Sequence, residues 1–203
     1  MLTGFKWIAE LIKAKEKTEN YVIGGEESYG LMIGDKLRDK DAVSAVAILC
    51  EMAAYEKNRG KNLFSKLIDL YLEFGFYKES LISITKKGMD GQKQIAEMMS
   101  GFRNHPPRKI NNSPVRTLLD YQVSLGKNLQ TGETWPIDLP SSNVLQFLLE
   151  DGSKISARPS GTEPKIKFYF SVHEKLVSRS AYDAVDSILQ KRIDSIIADL
   201  KLI

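Results

Sequence analysis

Arg158-Pro159-Ser160-Gly161-Thr162-Glu163-Pro164-Lys165-Ile166-Lys167 stands between two strand-like runs, residues 154–157 and 166–172. Strand, short polar loop and strand predict a hairpin, and that hairpin makes the C-terminal half a sheet. Inside the loop two hydroxyls flank a glycine. Gly161 lets the backbone reach positive φ and come close to a ligand. Successive N–H groups in such a turn form an anion-binding nest. Ser160 and Thr162 add hydroxyl donors, and the planar fork of Arg158 suits two oxygens of one phosphate. Lys165 and Lys167 add positive charge beyond it. Pro159 and Pro164 fix φ and hold Arg158 and Glu163 extended, so the loop loses little entropy when it binds. The same residues also read as a polar hairpin with scattered cations.

Working outward, Asp151-Gly152 is a hairpin signal joining a strand over 143–149 to the one over 154–157. Residues 115–123 and 76–85 read as further strands, and 124–140 as a long loop or short hairpin. Asp90 caps a predicted helix through Arg103, with Ile95, Met98, Met99 and Phe102 inward. Ser178 or Ser180 caps a last helix to about Leu200, burying Val185, Ile188, Leu189, Ile196 and Leu200. This half is therefore an α+β layer, β-α-β-β-β-α, with helices on one sheet face.

The first half reads as part of an α/β unit. Thr3-Gly4-Phe5-Lys6 opens a helix with Trp7, Ile8, Leu11 and Ile12 on one face. Tyr21-Val22-Ile23 reads as a short buried strand running into Gly24-Gly25-Glu26-Glu27-Ser28-Tyr29-Gly30. Ligands of α/β sheets gather beyond strand ends, and a carboxylate beside a hydroxyl suits sugar hydroxyls. A glycine-rich turn with solvated glutamates is the alternative. Asp39 or Asp41 caps a helix over 42–55 that is apolar nearly all round and so is expected to pack on several sides. A further helix over 63–74 stops at Gly75. The boundary is placed there: residues 1–75, then residues 76–203. The first part has too few strands to complete an open sheet, and its abrupt start reads as a piece of something longer.

The 203 residues carry a net charge of +3 with the basic residues spread out, which argues against nucleic acid as a partner. No apolar run reaches the roughly 20 residues of a membrane span, so no membrane is expected. A single cysteine, Cys50, cannot form an internal disulfide; it is read as core, and a reducing cytoplasm fits.

Three segments, in order, resemble the α-D-phosphohexomutases, the phosphoglucomutase and phosphomannomutase superfamily. Thr3-Gly4-Phe5-Lys6-Trp7 is similar to the lysine loop of the family's third domain. Gly25-Glu26-Glu27-Ser28-Tyr29-Gly30 is similar to its sugar-binding loop, and Arg158-Pro159-Ser160-Gly161-Thr162 to the phosphate loop of its fourth domain. The resemblance covers essentially the whole chain. It implies the end of domain 3 over 1–75, and over 76–203 a TATA-box-binding-protein-like domain 4. It implies a parent isomerase that interconverts hexose 1-phosphate and 6-phosphate through a phosphoserine and a hexose 1,6-bisphosphate, with Mg2+. Glu26 and Ser28 would hold sugar hydroxyls. Arg158, Ser160, Gly161 and Thr162 would hold the phosphate that is not reacting. Lys6 would stand near the reacting oxygens or the phosphate. The family's Ser-His-Asn loop and its Asp-x-Asp-x-Asp metal loop are absent. The expected partners are therefore a hexose phosphate and the missing N-terminal domains, and this portion alone is expected to be inactive. A non-catalytic phosphosugar-binding module and a phosphopentomutase parent are the alternatives. Glu26-Glu27-Ser28 resembles glucomutase versions, while glucose, mannose and ribose phosphates stay open.

Overall fold

The computed structural model describes residues 4–26, 29–86, 88, 90–161 and 163–202. The chain divides into two compact units, Met1–Leu67 and Ile68–Ile203. In the first, helix α1 (Phe5–Lys15) is followed by strands β1 (Ile23–Gly25) and β2 (Leu31–Ile33) and helix α2 (Ala42–Asn58). The two strands pair antiparallel, with Ile23 opposite Ile33 and Gly25 opposite Leu31. Phe5, Ile12 and Met32 form a small core, with Ile8 and Tyr21 against it. The Asp41 carboxylate accepts from the Val43 and Ser44 amides and caps α2, as an acidic side chain at the positive end of a helix should.

Two expectations change here. The run Tyr21–Ile23 becomes strand only from Ile23, and it is not buried: Val22 is 72% and Ile23 52% exposed. Helix α2 is not packed on several sides. Val43 is 80% and Val46 59% exposed, Cys50 is exposed rather than core, and Glu56 is the buried residue. Apolar periodicity records what a helix is suited to touch, and the strand packed on α2 is the short β2.

Helix α3 (Leu63–Phe74) follows, and its Ile68, Tyr71 and Leu72 belong to the core of the second unit. Gly75, at φ 97°, stops it, with its N–H on the Tyr71 carbonyl at 3.0 Å. The second unit is built on strands β3 (Phe76–Thr85), β4 (Lys109–Ile110), β5 (Ser113–Asp120), β6 (Leu125–Asn128), β7 (Thr134–Pro136), β8 (Leu145–Leu149), β9 (Lys154–Pro159) and β10 (Lys165–Glu174). The sheet order is β3-β10-β9-β8-β5-β6-β7, with β4 beside β5, and the pairings are antiparallel.

Alternation along β10 sets the layers. Ile166, Phe168, Phe170 and Val172 are buried, while the residues between them are half-buried. The buried face meets helices α4 (Gly91–Asn104) and α5 (Tyr182–Asp199) through Ile95, Met99, Leu189, Ile193 and Ile196. Phe102 of α4 stands edge-on to Phe168, with ring centroids 6.1 Å apart. The sheet is wider than the predicted β-α-β-β-β-α order, because 124–140 folds into the β6–β7 hairpin rather than a plain loop. Asp90 and Ser178 occupy N-cap positions without a side-chain capping bond. On α5, Ile193 is buried where Ile188 was expected; Ile188 is 49% exposed.

Candidate functional site

The β9–β10 connection is closed at its neck by the Ser160 N–H donating to the Lys165 carbonyl at 2.7 Å. Within the loop the Lys165 N–H donates to Glu163 O at 2.7 Å, and the Glu163 N–H to Ser160 Oγ at 3.3 Å. From outside, the Lys86 N–H donates to the Pro164 carbonyl at 2.9 Å. Each bond removes freedom from a segment that already has proline at two places. Gly161 is exposed, and a Cβ added there would meet nothing within 4 Å. The glycine therefore borders open space into which a ligand fits. Thr162 lies outside the described residues.

Strand register supplies the charge. Ala157 is fully buried, so its neighbour Arg158 faces the other side of the sheet and is exposed. Lys167 lies directly opposite Arg158, and Lys165 is two residues on along the same face. On the other flank Lys167 faces Ser83, and Lys165 faces Thr85. The loop mouth thus carries three cations in a row with two hydroxyls behind them. Ser83 and Thr85 are site candidates that sequence reading missed; only the antiparallel register of β3 with β10 brings them to the loop.

In the first unit the Glu26 loop is the turn of the β1–β2 hairpin, not a crossover leaving a strand. The Glu26 N–H donates to the Gly30 carbonyl at 2.9 Å, and the Tyr29 N–H to Glu26 O at 3.1 Å. Tyr29 holds φ at 68° and is 99% exposed. Glu26 is half-buried, and Lys40 comes to it across Gly30. A Cβ on Gly30 would lie 2.7 Å from both Glu26 Oε1 and Lys40 Cδ. Lys40 was also missed by the sequence reading. Its ammonium donates to Asp39 Oδ1 at 3.1 Å and lies 5.7 Å from the centroid of the Phe5 ring. Hydrogen bonding to Asp39, with the charges of Asp39 and Glu26, raises the Lys40 pKa and keeps it cationic. A motif search centred on the glycine run stops short of position 40; the signal that marks it is the approach of its stem to a residue without a Cβ. Ser28 and Glu27 lie outside the described residues. Lys6 is exposed on α1, its ammonium 4.6 Å from the Trp7 ring centroid, in a shallow groove with Ala9, Glu10, Lys13, Glu16 and Arg38.

Among the described residues no group of three or more His, Cys, Asp or Glu stands together to hold a metal ion. The Asp39-Lys40-Asp41 run is committed: Asp39 to Lys40, and Asp41 to the cap of α2. The magnesium implied by the resemblance thus has no fitting ligand set among these residues, and no chemical step is routed through it. Among the described residues no helix is long and apolar enough to cross a membrane.

Comparison with known proteins agrees with the two loops. A family model described as phosphoglucomutase/phosphomannomutase, alpha/beta/alpha domain III, matches residues 1–71. Phosphoglucomutases of Staphylococcus aureus strains MRSA252 and N315 are 40% and 39% identical over 172 residues, 85% of this chain and 31% of theirs. The chain thus spans about a third of the length of these relatives. A solved structure from Paramecium, the exocytosis-sensitive phosphoprotein pp63/parafusin, a phosphoglucomutase in its open form, shares the fold with a TM-score of 0.56. It is 21% identical and aligns over 98% of this chain and 33% of its own length. Sequence and fold together place the chain in the α-D-phosphohexomutase superfamily, matching its C-terminal portion.

Proposed function

We propose that this chain is the sugar- and phosphate-holding portion of an enzyme that interconverts hexose 1-phosphate and 6-phosphate. The observation that carries the reading is the β9–β10 loop mouth, where Arg158 and Lys167 face each other across paired strands beside the exposed turn at Ser160–Gly161. In this reading residues 1–75 are the end of domain 3 and residues 76–203 are a TATA-box-binding-protein-like domain 4. Arg158, Ser160, Gly161 and Thr162, with Lys167, hold the phosphate that is not reacting. Glu26 and Ser28 hold sugar hydroxyls, and Lys6 stands near the reacting end. The rest of the parent chain supplies the phosphoserine loop and the Mg2+ ligands. A hexose 1,6-bisphosphate is the intermediate, and the compartment is the cytoplasm.

The physical logic is positioning. Phosphoryl transfer asks little covalent chemistry of the protein and much placement of charge. A cationic mouth on a hydrogen-bonded hairpin is arranged before the ligand arrives. It can receive either phosphate of a bisphosphate, because its contacts are to phosphate oxygens rather than to the sugar. Glu26, steadied by the Lys40 stem over Gly30, presents an acceptor to hydroxyls. The same residues without their partners make a phosphosugar-binding module, so the isolated chain is expected to bind and not to turn over.

Calorimetry with glucose 1-phosphate and with inorganic phosphate tests this. Arg158→Ala should weaken both ligands at least tenfold, and Glu26→Ala should weaken only the sugar phosphate. Equal binding of inorganic phosphate by Arg158→Ala and the unaltered chain would overturn the assignment, and measurable mutase turnover by the 203-residue chain would overturn its predicted inactivity.

A further inference from the structure

In the first unit apolar groups face solvent from three elements at once. Strand β1 pairs with β2 on one side, and among the described residues its other edge carries no strand. The outer side of β2 is engaged, since the Asp41 N–H donates to the Leu31 carbonyl at 2.9 Å. At the β1 edge, Val22 and Ile23 are consecutive and so point to opposite faces, and both are exposed. On α1, Leu11 is 46% exposed, and on α2 Val43, Val46 and Tyr55 are more so. A cleft of about 410 Å³ lies beside this edge, lined by Ile8, Leu11, Ile12, Tyr21, Val22 and Gly24 among others.

A strand with exposed apolar groups on both faces is suited to the interior of a sheet covered on both sides. A hairpin of two strands is marginal by itself. The matching family model is an alpha/beta/alpha domain, and the relatives are about three times longer than this chain. We infer that the free edge of β1 is a docking surface for a strand from the part of the parent chain that precedes this one, and that docking there sets the Glu26 loop. The strand extends the sheet by main-chain hydrogen bonds at Tyr21–Gly25 and fills the cleft against α1. Because β1 runs directly into Glu26, fixing its edge fixes the carboxylate two residues beyond Gly24. Docking and sugar binding then share free energy, each strengthening the other by one factor. The coupling to sugar rests on the function proposed above; the docking does not.

The test grafts these 203 residues in place of the matched region of the Staphylococcus aureus phosphoglucomutase and compares amide exchange in the graft and in the free chain. Exchange at residues 21–25 should slow at least tenfold in the graft. Val22→Asp should abolish that slowing in the graft and change nothing in the free chain. Val177→Asp, at a position 74% exposed in the second unit, should alter neither. Equal exchange in both settings, or slowing that survives Val22→Asp, overturns the docking; so does a graft that fails to fold while α5 of the free chain stays protected. Slowed exchange with no gain in glucose 1-phosphate affinity leaves the docking standing and overturns the coupling.

Discussion

Substituting alanine for two glycines of one helix should move stability in opposite directions. Gly91 is the first residue of α4 and is buried. A Cβ built there lies 2.3 Å from the Lys86 carbonyl oxygen, 3.0 Å from the Lys86 carbonyl carbon and 3.0 Å from Pro164 Cβ. Ordinary contact begins near 3.4 Å, so something must move by about 1 Å. The nearest obstacle is backbone, so no side-chain rotation relieves it. Overpacking of this kind costs about 1–3 kcal/mol. At about 2–4 °C per kcal/mol for a domain of this size, Gly91→Ala should lower Tm by about 2–12 °C. Gly101 lies in the same helix, and a Cβ there meets nothing within 4 Å. Replacing an exposed helical glycine with alanine gains about 0.8–1 kcal/mol, so Gly101→Ala should raise Tm by about 2–4 °C. The Lys86–Pro164 bond braces the phosphate loop, so Gly91→Ala should also weaken phosphate binding, whereas Gly101→Ala should not. Scanning calorimetry and a phosphate titration on both variants check this. A Gly91→Ala protein as stable as the unaltered chain would refute the packing argument.

Two further outcomes follow from the same geometry. Gly30→Ala should leave the fold intact, because its neighbours are the flexible ends of Glu26 and Lys40. Displacing Glu26 loses one hydrogen bond to a charged group, so glucose 1-phosphate affinity should fall about tenfold while that for inorganic phosphate stays the same. Arg192 donates to Glu174 Oε2 at 2.7 Å and to the His173 carbonyl at 2.8 Å, tying α5 to the end of β10. The Arg192 bond holds the Glu174 pKa below its ordinary 4.5. That stabilisation is fully present above pH 4.5 and is lost as pH falls through the lowered value. The stability difference between the unaltered chain and Glu174→Gln, from urea unfolding, should be constant above pH 5 and shrink below 4.5. A difference that grows on acidification would contradict it.

Much of the second unit was legible in its residues because its signals are local and consistent. Strand β3 and helix α3 fall over 76–85 and 63–74 as expected, since Gly75 both ends the helix and frees the turn. Asp151-Gly152 marked the β8–β9 turn, where Gly152 adopts φ 82° against the His173 ring. The β6–β7 hairpin was obscured because its strands are short and polar, and Trp135 covers Gly126, which has no side chain to show a pattern. In the first unit, β2 was missed because three residues are too few to display a period. Helix α2 was misjudged for the opposite reason: its composition describes neighbours that the described chain does not supply. Of the site, Arg158, Ser160, Gly161 and Glu26 were readable from loop chemistry. Ser83, Thr85 and Lys40 were not, because strand pairing and the close approach over Gly30 bring them in from far along the chain.

The claim on which the account turns is that the β9–β10 loop mouth holds a phosphate dianion. The direct measurement is an amide chemical-shift titration of the 203-residue chain with inorganic phosphate. The account predicts saturable shifts centred on the Ser160, Gly161 and Lys167 amides, lost in Arg158→Ala. Shifts spread evenly over surface lysines, or shifts at the loop that persist unchanged without the Arg158 guanidinium, would contradict it.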